Sequence, residues 1–149
     1  MKRTHIRPLS EAEVRWLEKG LKNLGFFSKL KVSQLASIIP YMTVGDCAKG
    51  HVVVRQGTQA NRLYLIKKGK VDILRSGKRV AALGAGQFFG EMALLFKQPR
   101  SATVRCSAGC VLLSLGNSDL RRIMRQNPSV GRQLKKIAER RRLELEQMS

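Results

Sequence analysis

Hydrophobic spacing changes twice along this chain. Behind Ser10-Glu11-Ala12-Glu13, the residues Val14, Leu17, Leu21 and Leu24 recur at helical spacing, and Gly25 offers a stop. Ser10 with Glu13 has the S-x-x-E form of a capping box, so a helix is predicted to begin there. A second short helix is predicted after Ser28, carrying Leu30, Leu35, Ile38 and Ile39 until Pro40 ends it. The first forty residues therefore read as helical.

From Tyr41 to Leu115 the period shortens. Val52-Val53-Val54, Leu63-Tyr64-Leu65-Ile66, Val71-Asp72-Ile73-Leu74, Arg79-Val80-Ala81-Ala82-Leu83, Thr103-Val104 and Val111-Leu112-Leu113 read as strands. Gly45, Gly50, Gly57, Gly69, Gly77, Gly84, Gly86 and Gly109 punctuate them as turn glycines. Strands at about 8–12-residue intervals point to a β-sandwich, roll or barrel. After Gly116 the helical period returns. Asn117 or Ser118 is expected to cap a helix bearing Leu120, Ile123 and Met124, which Asn127-Pro128 closes. A long terminal helix then presents Val130, Leu134, Ile137, Ala138, Arg141 and Leu145 on one face. The predicted class is α+β with an antiparallel β-roll or jelly-roll centre. Residues 1–25 form an N-terminal helical segment and 26–149 the main domain.

Composition narrows the function. The chain has 149 residues and is 43% hydrophobic, enough for a packed core and too much for a disordered basic tail. No apolar run approaches the about 18 residues of a membrane span, and Met1-Lys2-Arg3 leads into polar sequence, so a soluble, cytoplasmic protein is expected. Cys47, Cys106 and Cys110 are odd in number and apolar-flanked. They are expected as buried, reduced thiols and not as a zinc site or disulfide framework.

With 29 Lys+Arg against 10 Asp+Glu, the net charge is +19. That charge attracts anionic partners, an acidic membrane surface among them. The basic residues are nevertheless scattered, and aromatic residues are not interleaved with them as base stacking requires. Nucleic acid is therefore not an expected partner. His5 and His51 lack spaced partners for metal or nucleophilic chemistry. The carboxylates between Gly20 and Ser118 are too few for paired acid–base work. No metal, cofactor or enzymatic activity is expected.

The segment Phe88 to Val104 carries the candidate chemistry. Gly90 permits close approach of backbone to a ligand, Glu91 to Leu95 is short and helix-prone, and Arg100 follows the rigid Pro99 with a guanidinium able to fork onto a phosphate. One carboxylate and one arginine in an apolar stretch can grip a sugar hydroxyl and a phosphate together. They can equally close the turn as a Glu91–Arg100 salt bridge.

This segment resembles the phosphate-binding cassette of the cyclic-nucleotide-binding domains of cAMP- and cGMP-dependent kinases, cyclic-nucleotide-gated channels and catabolite-activator-type regulators. The family pattern Phe-Gly-Glu-x-Ala-Leu, a spacer, then Pro-Arg-x-Ala-Thr-Val matches from Phe89 to Val104. Arg55-Gln56-Gly57, Leu63 to Ile66 with Gly69, and Gly84-Ala85-Gly86 extend the likeness, which covers the chain from about residue 26. The resemblance implies a short cassette helix, and two C-terminal helices acting as hinge and lid. It implies that Glu91 accepts from a ribose 2′-OH and that Arg100 pairs with the cyclic phosphate. Backbone around Gly90, Met92, Ala93 and Ala102 would line the cradle, with Ser101 beside phosphate and purine. Val71 and Leu83 are either ligand wall or β-roll core. Arg141 is either a lid residue over the base or one more solvated arginine.

The ligand implied is cAMP or cGMP. Ser101 could donate to guanine, but Ala81 stands where strongly cGMP-selective relatives often place an arginine. cAMP is therefore expected to bind as well as or better than cGMP. Two classes of function follow: a ligand-gated module acting on a kinase, channel or other effector, and the sensor of a catabolite-activator-type DNA-binding regulator. The sequence ends at Ser149, just after the terminal helix, so the second reading lacks a recognition helix. A ligand-free scaffold is disfavoured by the presence of Glu91 and Arg100.

Overall fold

The computed structural model describes residues 5–20, 31, 33, 36, 38–58, 62–90 and 99–147. Its first element corrects the helical reading of the N-terminus: His5–Pro8 is a strand, β1. It adds an antiparallel edge to β2, Thr43–Cys47, with His5 opposite Asp46 and Pro8 opposite Thr43. Pro8 falls at the end of an edge strand, where its missing N–H costs no ladder bond. The predicted capping box is present at the start of α1, Glu11–Gly20: Ser10 N–H donates to Glu13 Oε1 at 2.7 Å and Glu13 N–H to Ser10 Oγ at 3.3 Å. Arg7 of β1 forks onto the same carboxylate at 2.6 and 2.8 Å, tying strand to helix.

Leu21 and Leu24 lie outside the described residues, as do Gly25, Leu30 and Leu35. Of the second predicted helix, Ser33, Ala36 and Ile38 are described and helical. Pro40 does not end this helical stretch but stands inside a 3-10 turn, Ile39–Tyr41. Proline's fixed φ suits a first helical turn, where its N–H would have no partner in any case.

Every strand expected between residues 52 and 113 forms: β3 Val52–Val54, β4 Arg62–Lys68, β5 Lys70–Arg75, β6 Lys78–Gly84, β8 Thr103–Cys106 and β9 Cys110–Gly116. Between β6 and β8 lies the two-residue β7, Phe88–Phe89. Five strands, in the order β1-β2-β9-β4-β7, face four, in the order β3-β8-β5-β6. All described pairings are antiparallel, as a β-roll requires. Gly45 is not a turn: it lies within β2, where a strand interior places it opposite Ile6 and Leu112. Gly69 is a turn residue by necessity. Its φ is +98°, and a Cβ there would strike the Gly109 carbonyl oxygen and come within 2.7 Å of Cys110 Sγ.

Asn117 does not cap the first C-terminal helix but opens it: α2 spans Asn117–Gln126, and the extended Gly116 precedes it without a side-chain cap bond. Strand β9 feeds directly into this helix, and Asp119 supplies the negative charge its first turn favours. Asn127 closes α2 and Pro128 opens α3, Pro128–Gln147.

Period-two burial divides the core in two. On one face of β4 and β9, Leu63, Leu65, Leu113 and Leu115 pack with Leu17, Leu120, Ile123, Val130 and Leu134 of the helices. On the other face, Ile66 and Leu112 join Val71, Ile73, Phe89, Val104 and Cys106 between the sheets. Of the predicted α3 face, Val130, Leu134 and Ala138 are fully buried, and Ile137 packs against them partly. The Leu145 side chain is outside the described residues. No helix among the described residues is long and apolar enough to cross a membrane.

Candidate functional site

The site is assembled from two ends of an interrupted sheet. Strand β7 pairs with β4 through only two residues, Tyr64 opposite Phe89 and Leu65 opposite Phe88. Both Phe88 and Phe89 are buried, one in each core, so the chain leaves β7 at a fixed place. The next residue, Gly90, has φ +98°. A Cβ at Gly90 would lie 2.6 Å from Arg100 Nη1 and 2.9 Å from the Arg62 carbonyl oxygen, so only glycine fits.

Arg100 returns the chain to that point. Its backbone N–H donates to Thr58 O at 2.7 Å, and its carbonyl accepts from Gly57 N–H at 2.8 Å. The turn holding it is itself braced: Gly57 has φ +85°, Thr58 Oγ1 donates to Arg55 O, and Gln56 N–H donates to Thr103 Oγ1. Although charged, Arg100 is only 5% exposed. Nη1 donates to Gly90 O at 3.2 Å and Nη2 to Arg62 O at 3.1 Å. Buried cations need such partners, because desolvation disfavours the charge. Tyr64 borders this group. Burial pushes its phenol above the usual range, against the opposing pull of the Arg100 and Arg62 charges.

The other predicted residues distribute as follows. Glu91, Met92 and Ala93 lie outside the described residues, so the alternatives for Glu91 stand as the sequence left them. Ser101 is half-buried and Ala102 is buried in the inner core. Val71 is fully buried and stands opposite Leu83 in the β5–β6 register. Leu83 packs partly against the same cluster. Both belong to the inner core of the roll at its β6 side. Arg141 is not a solvated arginine: its Nη1 donates to Phe88 O at 2.7 Å, and its guanidinium carbon lies 4.5 Å over the Phe88 ring. The base of the terminal helix face is thereby tied to the strand leading into Gly90.

Sequence reading missed Arg62 and Phe88. Arg62 opens the apolar run Leu63 to Ile66, and that single charge at the head of a strand was the available signal. Phe88 stood at the head of the candidate segment, but β7 is too short for a periodicity to give it a role of its own. The three cysteines are buried, as expected, and are free thiols. The Cys106 thiol is pushed up, first by its hydrogen bond with Cys47 and then by burial. Among the described residues, no His, Cys, Asp and Glu cluster could hold a metal ion.

A family pattern described as a cyclic nucleotide-binding domain matches residues 46–127. The chain is 37% identical over 117 residues to a Rhodopseudomonas palustris protein that carries a potassium-channel name, covering 76% of this chain and 28% of that one. It is 30% identical over 116 residues to a cAMP-dependent protein kinase regulatory subunit of Yarrowia lipolytica, covering 78% and 31%. The chain thus spans less than a third of the length of these curated relatives. Among solved structures, the regulatory domain of Toxoplasma gondii PKA crystallised with cAMP superposes with a TM-score of 0.70 at 29% identity, over 77% of this chain and 46% of that one. The two-sheet roll, its interrupted β7 edge and this pattern agree, and the chain belongs to the cyclic nucleotide-binding domain family.

Proposed function

We propose that this chain is a regulatory module that binds a cyclic nucleotide, cAMP at least as well as cGMP, and passes occupancy through α2 and α3 to an effector. The observation that supports this reading most directly is the buried Arg100, clamped by its backbone to Gly57 and Thr58 and aimed at Gly90. In this reading the guanidinium pairs with the cyclic phosphate, and Glu91 accepts from the ribose 2′-OH. Gly90, Met92, Ala93, Ser101 and Ala102 frame the phosphate, with Val71 and Leu83 as apolar wall. The Toxoplasma relative was crystallised with cAMP, and the Yarrowia relative is named for cAMP-dependent regulation. The ligand can shift the helices only as far as it prefers one arrangement over another, so the output is a differential affinity and not a catalytic step. A kinase or a channel is the kind of effector the relatives suggest.

Calorimetric titration with cAMP tests the reading. Removing one partner of a buried ion pair costs about 3–5 kcal/mol, so Arg100→Ala should lose about 10²–10³ in affinity. Arg100→Lys keeps the charge without the bidentate fork and should also lose affinity, with a smaller risk to the fold. Circular dichroism of both variants separates lost binding from lost structure. Folded variants that bind cAMP as tightly as the parent would overturn the proposal.

A further inference from the structure

The basic charge of the chain is not spread evenly over the fold. Around the roll, cations are paired or set at opposite ends. Arg7 and Lys67 share Glu13, and Arg79 meets Asp72 at 3.2 Å. Lys70 and Lys78 lie at the two ends of the β5–β6 pair. The C-terminal helices are different. Arg121, Arg125, Arg132, Lys135, Lys136 and Arg140 are exposed, and none of them is in an ion pair among the described residues. Against them stand the exposed Glu139 and Glu144, while Asp119 is held by Arg122 at 3.4 Å.

Packing gathers these cations on one side. Leu120 and Ile123 of α2 and Val130 and Leu134 of α3 are buried in one cluster with Leu65 and Leu113 of β4 and β9. The two helices meet closely, since a Cβ on Gly131 would lie 3.5 Å from that of Met124. With their inner faces fixed on the same sheet, their outer faces point away from the roll together. Helical spacing groups the cations there, Arg121 with Arg125, and Arg132 with Lys135, Lys136 and Arg140. Of the three large apolar residues exposed among the described residues, two border this face. Tyr41 lies under the Arg122 guanidinium, whose carbon is 4.6 Å from the ring centre, and Leu143 follows Arg140 by one turn of α3.

We propose that the outer face of α2 and α3 is a docking surface for an anionic lipid bilayer, with these cations on the headgroups and Leu143 in the headgroup–acyl boundary. Cations flanking an exposed leucine and tyrosine, on helices whose opposite face is buried, suit that boundary. There the charges meet negative headgroups and the apolar tips leave water. Single-stranded nucleic acid fits less well, because it needs open aromatic faces for stacking and the Tyr41 ring is already stacked by Arg122. No group of the Gly90–Arg100 region takes part, so the proposal goes beyond the cyclic-nucleotide reading and stands apart from it.

Co-sedimentation of the full chain with vesicles tests it, phosphatidylcholine alone against phosphatidylcholine with about 30% phosphatidylserine, in about 0.1 M NaCl. Binding is expected only to the anionic vesicles. The combined helix variant Arg121→Gln, Arg125→Gln, Arg132→Gln, Lys136→Gln should weaken it about 10²-fold to 10³-fold, at about fivefold per cation. The control variant Lys49→Gln, Lys68→Gln, Lys70→Gln, Lys78→Gln removes the same charge from the roll and should weaken binding by less than about tenfold. Leu143→Gln leaves every charge in place and should weaken it about threefold to tenfold. All of these positions are exposed, and circular dichroism checks that each variant keeps its fold. Equal losses in the helix and control variants would overturn the proposal, and so would unchanged binding in Leu143→Gln. A helix variant that lost single-stranded RNA binding while keeping its vesicle binding would assign the face to nucleic acid and overturn it too.

Discussion

Arg141 in α3 and Phe88 in β7 stand 53 residues apart, yet one guanidinium both donates to the other's carbonyl at 2.7 Å and covers its ring at 4.5 Å. Phe88 is two residues before Gly90, so the last helix grips the chain at the entrance to the cassette. This contact gives Arg141 a structural role in the fold itself.

Arg141→Ala should lower the unfolding free energy by about 1–3 kcal/mol, from one charged hydrogen bond and one partly exposed cation–π contact. Arg141→Lys should recover only part of this, since an ammonium does not lie flat on a ring. Urea denaturation of the three proteins measures both differences. A stability equal to the parent's in the alanine variant would show that the latch contributes nothing.

Gly90→Ala should be destabilising and should also impair the candidate site. The positive φ strains any L-residue, at about 1–3 kcal/mol, and the new Cβ would displace Arg100 Nη1. Thermal unfolding should report the first effect and cAMP titration the second. Gly77 is the control: its φ is also positive, but a Cβ there meets nothing within 4 Å, so Gly77→Ala should affect stability alone.

Glu13 predicts an acid-sensitive contribution. The Arg7 hydrogen bonds hold its carboxyl well below the usual carboxylate range; burial opposes them, and the Ser10 contacts assist them. A carboxylate with a depressed folded value adds stability that is present above its unfolded value of about 4.5 and is lost as pH falls below it. The stability gap between the parent and Glu13→Gln should therefore be constant near neutral pH and shrink below about pH 4.5. A gap that widens on acidification would contradict the assignment.

Glu91→Gln addresses the ribose. A charge-assisted hydrogen bond contributes about 1.5–3 kcal/mol, so the parent should discriminate against 2′-deoxy-cAMP and the variant should not. Competition titration of cAMP against cGMP is expected to favour cAMP by tenfold or less, because Ala81 offers guanine no side-chain donor. A preference for cGMP above a hundredfold would require a donor other than Ser101.

The strands were legible because alternation and glycine placement are local signals. Leu63 to Ile66 alternate between the two cores, while in Val71 to Leu74 the alternation sets Val71 and Ile73 in the inner core and leaves Asp72 and Leu74 outside both. What escaped was short or decided at a distance. Strand β1 exists because β2 offers it an edge and Arg7 finds Glu13, neither of which is visible in the tetrapeptide His5–Pro8. Strand β7 has two residues and no period. Gly45 looked like a turn because a glycine carries no record of the neighbours that enclose it. In the candidate site, Arg100 was legible from Pro99 and the surrounding pattern, whereas its carbonyl partner on Arg62 comes from a distant strand. Arg141 was visible as a residue of interest, but Phe88 as its counterpart required the packing of α3 against β7.

Strands β4 and β9 belong to both hydrophobic clusters, with Leu65 and Leu113 facing the helices and Ile66 and Leu112 facing the roll interior. This part of the sheet behaves as a diaphragm one residue thick, with no solvent layer between its sides. Ile66 and Leu65 share a peptide unit, and Leu65 packs in one cluster with Leu120 and Leu134. Close-packed interiors have low compressibility, so load on one side is not absorbed within the strand. Heat should likewise find no weak plane between roll and helices, and a single melting transition is the expected signature.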